Sequence, residues 1–255
     1  MTVWNPAQYL KFSGERLQPA LDLMGRITLE NPARIVDLGC GPGNVTAILA
    51  GHFQDASVQG IDNSAEMLAK ASDIPGISWQ QGDIATWQAE NPVSLIYSNA
   101  ALHWIADHGS LFPRLLRQLE PGGQLAVQMP SNHLAVTHTA ITEAVAAGPW
   151  QEKLSPLVQE TNVHELSYYY DLLSPLCNDL SLWQTEYVHV LDGENPIVEW
   201  TSGSALKRFL DVLSDPEERR AFLADYGQRV GEAYPKRSDG KTLLPFRRLF
   251  IIAST

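Results

Sequence analysis

Over the first 130 residues, short apolar runs alternate with amphipathic stretches, the pattern of a parallel sheet wrapped by helices. Residues 34–38 read as a first strand ending at a glycine cluster, and residues 44–52 as the helix that follows. Residues 57–61 predict a second strand, and 64–71 a second helix that Ser64 can cap, with Met67 and Leu68 on its apolar face. Residues 77–80 predict a short third strand and 93–98 a fourth, flanked by Pro92 and Asn99. Residues 110–119 read as a helix closed by Pro121-Gly122-Gly123, and 124–128 begin a fifth strand.

Beyond residue 130 the pattern loosens. Residues 135–147 predict a helix ending at Gly148-Pro149, and 180–191 and 246–252 alternate as two further strands. Between those strands lies a largely helical insertion at about 196–234. The sequence contains no internal repeat or low-complexity tract. The expectation is one α/β domain over residues 1–255, with residues 1–30 and the 196–234 insertion forming a lid over the active site.

Composition narrows the function class. With 44% hydrophobic and 18% charged residues, the chain has the make-up of a globular protein with a real core. Its formal charge of −11 argues against the broad basic surface of a nucleic-acid binder, though not against a local basic pocket. Two cysteines, Cys40 and Cys177, cannot build a disulfide framework or a zinc cluster, and the histidines show no metal-ligand spacing. No metal is expected. Neither a secretory leader nor an apolar run of membrane-spanning length is visible, so a cytoplasmic location without membrane attachment is the default.

The chemistry starts at Ile35-Val36-Asp37-Leu38-Gly39-Cys40-Gly41-Pro42-Gly43-Asn44, a strand running through a glycine turn into a helix. Glycines let the backbone take unusual dihedrals and approach a ligand, and in an open α/β sheet such a turn sits where ligands bind. A dinucleotide fingerprint wants a small residue at position 44, where this chain has Asn. Asp37 places a carboxylate at the strand end, which suits an ammonium group and repels a pyrophosphate. No Gly-Lys-Ser/Thr follows, so the phosphate-loop reading drops too. Asp62 ends the second strand, where a carboxylate can accept both hydroxyls of a ribose or simply favour a helix dipole. Gly82-Asp83-Ile84 after the third strand is either a plain turn or an adenine site, with Asp83 accepting from the amino group and Ile84 packed on the ring.

These segments, with Ser98-Asn99-Ala100 after the fourth strand, resemble the class I S-adenosylmethionine-dependent methyltransferases. The resemblance implies a Rossmann-like seven-stranded mixed sheet, last strand antiparallel, with helices on both faces. It implies S-adenosyl-L-methionine as cofactor and S-adenosyl-L-homocysteine as product. The cofactor contacts it implies come from Gln8 and Tyr9, from Asp37, Gly39, Gly41 and Asn44, and from Asp62, Asn63 and Met67. Gly82, Asp83, Ile84, Asn99 and Ala100 complete that set.

A closer resemblance spans nearly the whole chain. Trp4-Asn5-Pro6-Ala7-Gln8-Tyr9-Leu10-Lys11-Phe12, Asn99-Ala100-Ala101-Leu102-His103-Trp104, Tyr169-Tyr170-Asp171-Leu172-Leu173 and Leu244-Pro245-Phe246-Arg247-Arg248-Leu249-Phe250 are similar to segments of the trans-aconitate 2-methyltransferases. That family converts trans-aconitate to a monomethyl ester. A carboxylate acceptor has a reference pKa of about 4 and is ionised at neutral pH, so no general base is required. A polycarboxylate does need cations, and arginine's fork suits that role. Lys207, Arg208, Arg247 and Arg248 are the candidates, and of the adjacent pair only one can face a pocket. Lys207-Arg208-Phe209-Leu210 stands where relatives often have Arg-Pro-Phe-Leu, leaving open which basic residue matters. Tyr9, Tyr169 and Tyr170 offer hydroxyls or core packing. Trp104 is placed to wall the acceptor pocket and His103 to hydrogen-bond a carboxylate, or to serve structure alone. Two alternatives remain: methylation of another small molecule, with His103 the first suspect for a base, and a non-catalytic cofactor-binding protein.

Overall fold

The structure, a computed structural model, describes residues 13–255, with side chains from Leu17 onward. Seven strands form one sheet: β1 (Arg34–Leu38), β2 (Ser57–Asp62), β3 (Ile77–Gln81), β4 (Val93–Asn99), β5 (Leu119–Pro130), β6 (Asp179–Leu191) and β7 (Thr242–Ser254). Their order is β3-β2-β1-β4-β5-β7-β6. β1 to β5 pair in parallel and β7 runs antiparallel to β5, the mixed sheet the resemblance implies. β1 and β4 are buried along nearly their whole length, which is why they read as continuous apolar runs rather than alternating ones.

Of the sequence-predicted elements, the helix after β4 and the strand after it differ in their bounds. α4 covers His108–Leu116, because Asp107 caps it by accepting from the Ser110 backbone N–H at 3.0 Å. Pro121-Gly122-Gly123 does not separate helix from strand. It lies inside β5, where the β4 register jumps from Val93 opposite Leu119 to Leu95 opposite Gln124.

The chain divides into two compact units. The sheet unit comprises Arg16–Ser131, Asn162–Thr185 and Arg248–Thr255, and the helical unit includes Asn132–Thr161 and Glu186–Arg247. Each has its own core. In the helical unit, α5 (Val136–Ala147) and α8 to α10 (Pro196–Ser202, Lys207–Val212, Pro216–Ala233) pack around Ile141, Trp150, Trp200, Phe209 and Phe222. Tyr226 joins them, its hydroxyl donating to the Thr137 carbonyl at 3.1 Å.

The register divides the sheet unit into two unlike faces, since lateral partners point the same way. One face carries Ile96, Leu125, Val127, Met129, Leu249 and Ile251 and packs against Leu111 and Leu115 of α4 and Leu173 of α7 (Leu166–Leu173). It is mainly apolar; Ser98 shares it and spends its hydroxyl on the Leu38 carbonyl at 2.8 Å. The other carries Asp37, Tyr97, Asn99, Gln128 and Arg248. Helix α1 (Ser13–Met24) and the turn after it are fixed to that polar face. The Tyr97 hydroxyl donates to the Ala20 carbonyl at 2.9 Å, and the Thr28 N–H donates to Gln124 Oε1 at 3.1 Å. Residues 20–28, expected to belong to a lid, are thus anchored to the sheet.

Candidate active site

At the carboxyl ends of β1 to β3 the backbone builds the site. The N–H groups of Gly39 and Cys40 both donate to the Ile61 carbonyl, at 2.7 and 3.0 Å, which pins the loop after β1 to the end of β2. Gly39 has φ +79°, and a Cβ there would stand 2.2 Å from the Ala101 Cβ and 3.4 Å from Ile84 Cδ1. The glycine loop, the turn after β3 and the end of β4 therefore converge. Gly41, with φ +55°, differs: a Cβ there would meet nothing within 4 Å, so its backbone faces open space.

Three acids surround this loop, in different states. Asp62 accepts from the Gly41 N–H through Oδ2 at 2.9 Å and from the Ser64 N–H through Oδ1 at 2.8 Å. Asp83 is exposed and accepts from the Ala85 N–H at 2.9 Å. Asp37 is buried and accepts from the Thr46 hydroxyl at 2.6 Å. Burial raises the Asp37 carboxyl to about 7; the Thr46 hydrogen bond opposes the rise and the Asp62 charge adds to it. Asn44 and Asn63 are exposed at the starts of the two following helices, and Met67 is half-buried in α3 (Ala65–Ala71), its N–H bonded to Ser64 Oγ.

At the ends of β4 and β5, beside the middle of β7, side chains take over. Ala100 is the single non-glycine residue with positive φ among the described residues, at 53°, where the chain leaves β4. Its N–H donates to the Gln128 carbonyl at 2.9 Å. Asn99 lies opposite Gln128, and Gln128 opposite Phe250; Arg248 is two residues from Phe250, so all share the polar face. Gln128 and Arg248 are buried, at 0% and 7% exposure. Among the described residues, neither amide atom of Gln128 has a hydrogen-bond partner, nor have Asn99 Oδ1 and His103 Nδ1. Each such buried polar atom costs about 1–3 kcal/mol, so the cluster is strained unless something fills it. His103 is held neutral: burial, then the Arg248 charge, lowers its imidazole to about 3.

Comparison with known proteins bears on what this geometry serves. A family profile described as "Methyltransferase domain" matches residues 35–123. The trans-aconitate 2-methyltransferase of Azoarcus sp. (strain BH72) is 44% identical over 254 residues, covering 99% of this chain and 99% of that protein. The enzyme of the same name from Variovorax paradoxus (strain S110) is 46% identical over 257 residues, covering 99% and 98%.

The chain belongs to the trans-aconitate 2-methyltransferase family.

The fold agrees with more distant structures. The YcgJ protein from Bacillus subtilis superposes with a TM-score of 0.59 at 13% identity, covering 93% of this chain and 98% of that one. An S-adenosylmethionine-dependent methyltransferase from Thiobacillus denitrificans, solved with S-adenosyl-L-homocysteine, gives 0.53 at 19% identity over 100% of both chains.

Within this trans-aconitate 2-methyltransferase family member, the residues predicted from sequence have different fates. Gln8 and Tyr9 lie outside the described residues. Tyr169, predicted as a substrate ligand, is fully buried in the apolar core on the sheet's other face. Its hydroxyl is already used, 2.7 Å from His108 Nδ1 and accepting from the His164 N–H at 3.3 Å. That packing is structural. Trp104 and Tyr170 are exposed, at 73% and 57%. Lys207 and Arg208 belong to the helical unit, Lys207 paired with Asp211 at 2.7 Å and Arg208 donating to Gln159 Oε1 at 2.7 Å. Strand alternation separates the last pair: Arg247 is exposed, 3.9 Å from Glu186, whereas Arg248 is buried.

Two residues escaped the sequence reading. Gln128 looked like one more polar position in a strand, and only its register opposite Asn99 reveals it. Arg114 of α4 donates to the carbonyls of Ile84 and Ala85, at 2.8 and 2.9 Å, and to that of Trp87. It holds the turn that carries Asp83 and Ile84.

Proposed function

We propose that this protein transfers the methyl group of S-adenosylmethionine to a carboxylate of trans-aconitate, giving a monomethyl ester. The observation that carries the proposal is the pairing of a buried, permanently charged Arg248 with a His103 kept neutral by burial. Such a site has a charge for an anion and no base for a hydroxyl, because an imidazole titrating at about 3 is poorly matched to proton abstraction at neutral pH. The 44% identity to relatives of that name over the full length points the same way.

The residues at the β1–β3 end fit the cofactor. Gly41 leaves its backbone open to approach, and the partly exposed Asp62 carboxylate keeps acceptor capacity for a ribose beyond its two backbone bonds. Asp37 supplies a carboxylate for an ammonium group, and Ile84 an apolar surface held in place through Arg114. When bound, S-adenosylmethionine supplies an electrophilic methyl group on a sulfonium. The protein's share is to hold the acceptor carboxylate in line and to keep water out, which favours a reaction that neutralises opposite charges.

A small anionic acid, rather than a nucleic acid, also suits the net charge of −11. Among the described residues no helix is long and apolar enough to cross a membrane. With both cysteines free, a cytoplasmic location belongs to the proposal. So does a lid function for residues 196–234; slower hydrogen exchange in α8 to α10 with S-adenosylhomocysteine bound is the expected sign, and unchanged exchange would remove it.

The direct test is transfer from labelled S-adenosylmethionine to trans-aconitate beside cis-aconitate, citrate and isocitrate. Strong preference for trans-aconitate is expected. Cofactor binding without turnover of any of these acids would overturn the acceptor.

A further inference from the structure

Among the described residues, several unpartnered polar atoms of the sheet unit gather where β4 and β5 end beside the middle of β7; Trp79 Nε1 on β3 is a separate one. Gln128 contributes both atoms of its amide, and Asn99, its lateral partner, contributes Oδ1. Arg248 lies on the same face of β7, opposite Pro130 and so two register positions along from Gln128. His103 is close enough for the Arg248 charge to act on it. Beside them Phe250 stacks on Trp183 with ring centroids 4.7 Å apart and planes 5° from parallel, and the Arg26 guanidinium lies 4.2 Å from the Trp183 centroid. This aromatic stack gives the polar group an apolar flank. A core position that merely filled space would be served by Leu or Met; a fully buried amide with no internal partner fits a ligand that brings the partner.

We infer that Gln128, through its amide N–H groups, and Arg248 form a subsite for a carboxylate of the acceptor that is not itself methylated, with Asn99 alongside. The guanidinium supplies the charge and the Gln128 amide nitrogen a further donor, so the carboxylate's lone pairs are engaged. A carboxylate bound in this way is a poorer nucleophile than one left free. The subsite thereby selects which carboxylate reacts, as well as which acid binds. The neutral His103 adds a hydrogen-bond partner and no charge. The inference rests on the function proposed above and extends it to Gln128, to which that function assigns nothing.

Gln128→Met, close in size and without the amide, tests it together with Gln128→Glu. Calorimetry on the full chain saturated with S-adenosylhomocysteine reads trans-aconitate binding, and a separate titration reads S-adenosylhomocysteine itself. Gln128→Met should weaken trans-aconitate binding about tenfold or more, consistent with losing a hydrogen bond to a charged group, and leave S-adenosylhomocysteine within about twofold. Its ligand-free melting temperature should rise, since an unsatisfied amide has gone. Gln128→Glu should weaken the acid further at neutral pH through like-charge repulsion. Unchanged trans-aconitate affinity in Gln128→Met would overturn the inference, and so would a fall in melting temperature with both ligands weakened together. If the wild type transferred no methyl group, the proposed function would fall. Citrate or trans-aconitate binding lost in Gln128→Met would still uphold the subsite.

Discussion

At the β1–β3 end of the polar face, the acids are served by local backbone: the Gly41 and Ser64 N–H groups donate to Asp62, and the Ala85 N–H to Asp83. At the β4–β7 end, Gln128, Asn99 and His103 hold polar atoms that no group in the described structure satisfies, beside the buried cation Arg248. The two ends also differ in sign. Asp37 and Asp62 make the first suited to a cation, and Arg248 makes the second suited to an anion. That polarity matches a reaction between a sulfonium and a carboxylate. It also shows two ways of building a site, one from short-range backbone geometry and one from side chains far apart in sequence.

Removing the charge at the anionic-ligand end should have the largest effect. Arg248→Met is expected to lower kcat/KM for the acceptor by about 100-fold or more, in line with the loss of a buried charge-assisted contact. S-adenosylhomocysteine affinity should stay within a few-fold. An equal loss at both ligands would erase the division between the two ends.

Next comes a contrast within the glycine loop. Gly39→Ala drives a Cβ to 2.2 Å from the Ala101 Cβ at φ +79°, and should cost about 2–4 kcal/mol of stability together with cofactor binding. Gly41→Ala meets only the φ +55° penalty, about 1 kcal/mol, with its new methyl group in open space. It should leave the fold nearly intact and weaken the cofactor at least tenfold. Denaturant titration beside calorimetry separates the two; equal stability losses would refute the distinction between a packing glycine and a binding one.

Asp37 offers a subtler test through pH. Its folded pKa of about 7 exceeds the ordinary 3.8, so the folded protein holds the proton more tightly than the unfolded chain. Stability tied to that proton is present below about pH 4 and is lost as pH rises toward 7. Asp37→Asn, which keeps an acceptor for Thr46, should therefore melt higher than wild type at about pH 8 and gain less at about pH 5. The gain is on the order of 1–3 kcal/mol. Cofactor affinity should fall, because the carboxylate meant for an ammonium group is gone. A variant less stable at both pH values would contradict the burial argument.

The smallest expected effect is an absence of pH response. With cofactor saturating, wild type and His103→Asn should show the same shape of kcat between about pH 5.5 and 8, because the His103 titration lies near 3. An inflection near 6.5 in wild type alone would restore His103 as a base and favour a hydroxyl acceptor.

How much of this was legible beforehand follows the same division. The strand at Arg34–Leu38 and the helix at Asn44–His52 were readable to the residue, because the buried run and the glycine turn sit side by side in the chain. Ser64 capping its helix was readable for the same reason. The helix start at His108 was missed because the capping Asp107 precedes the stretch where the apolar period becomes clear. Pro121-Gly122-Gly123 was misread because a bulge uses the same residues as a stop. Tyr169 could not be sorted from Tyr170 by sequence, since both stand in one tyrosine run and only packing buries the first.

The sequence by itself determined the order of elements over the first 130 residues, because strand, glycine turn and helix follow short-range backbone preferences, and the family resemblance it carries implied the mixed sheet and the cofactor. Only the tertiary structure decided between Arg247 and Arg248, moved Tyr169 into the core and brought Gln128 beside Asn99. Those outcomes depend on strand register, which sets the face of every side chain and joins residues 99, 128 and 248 across more than half the chain.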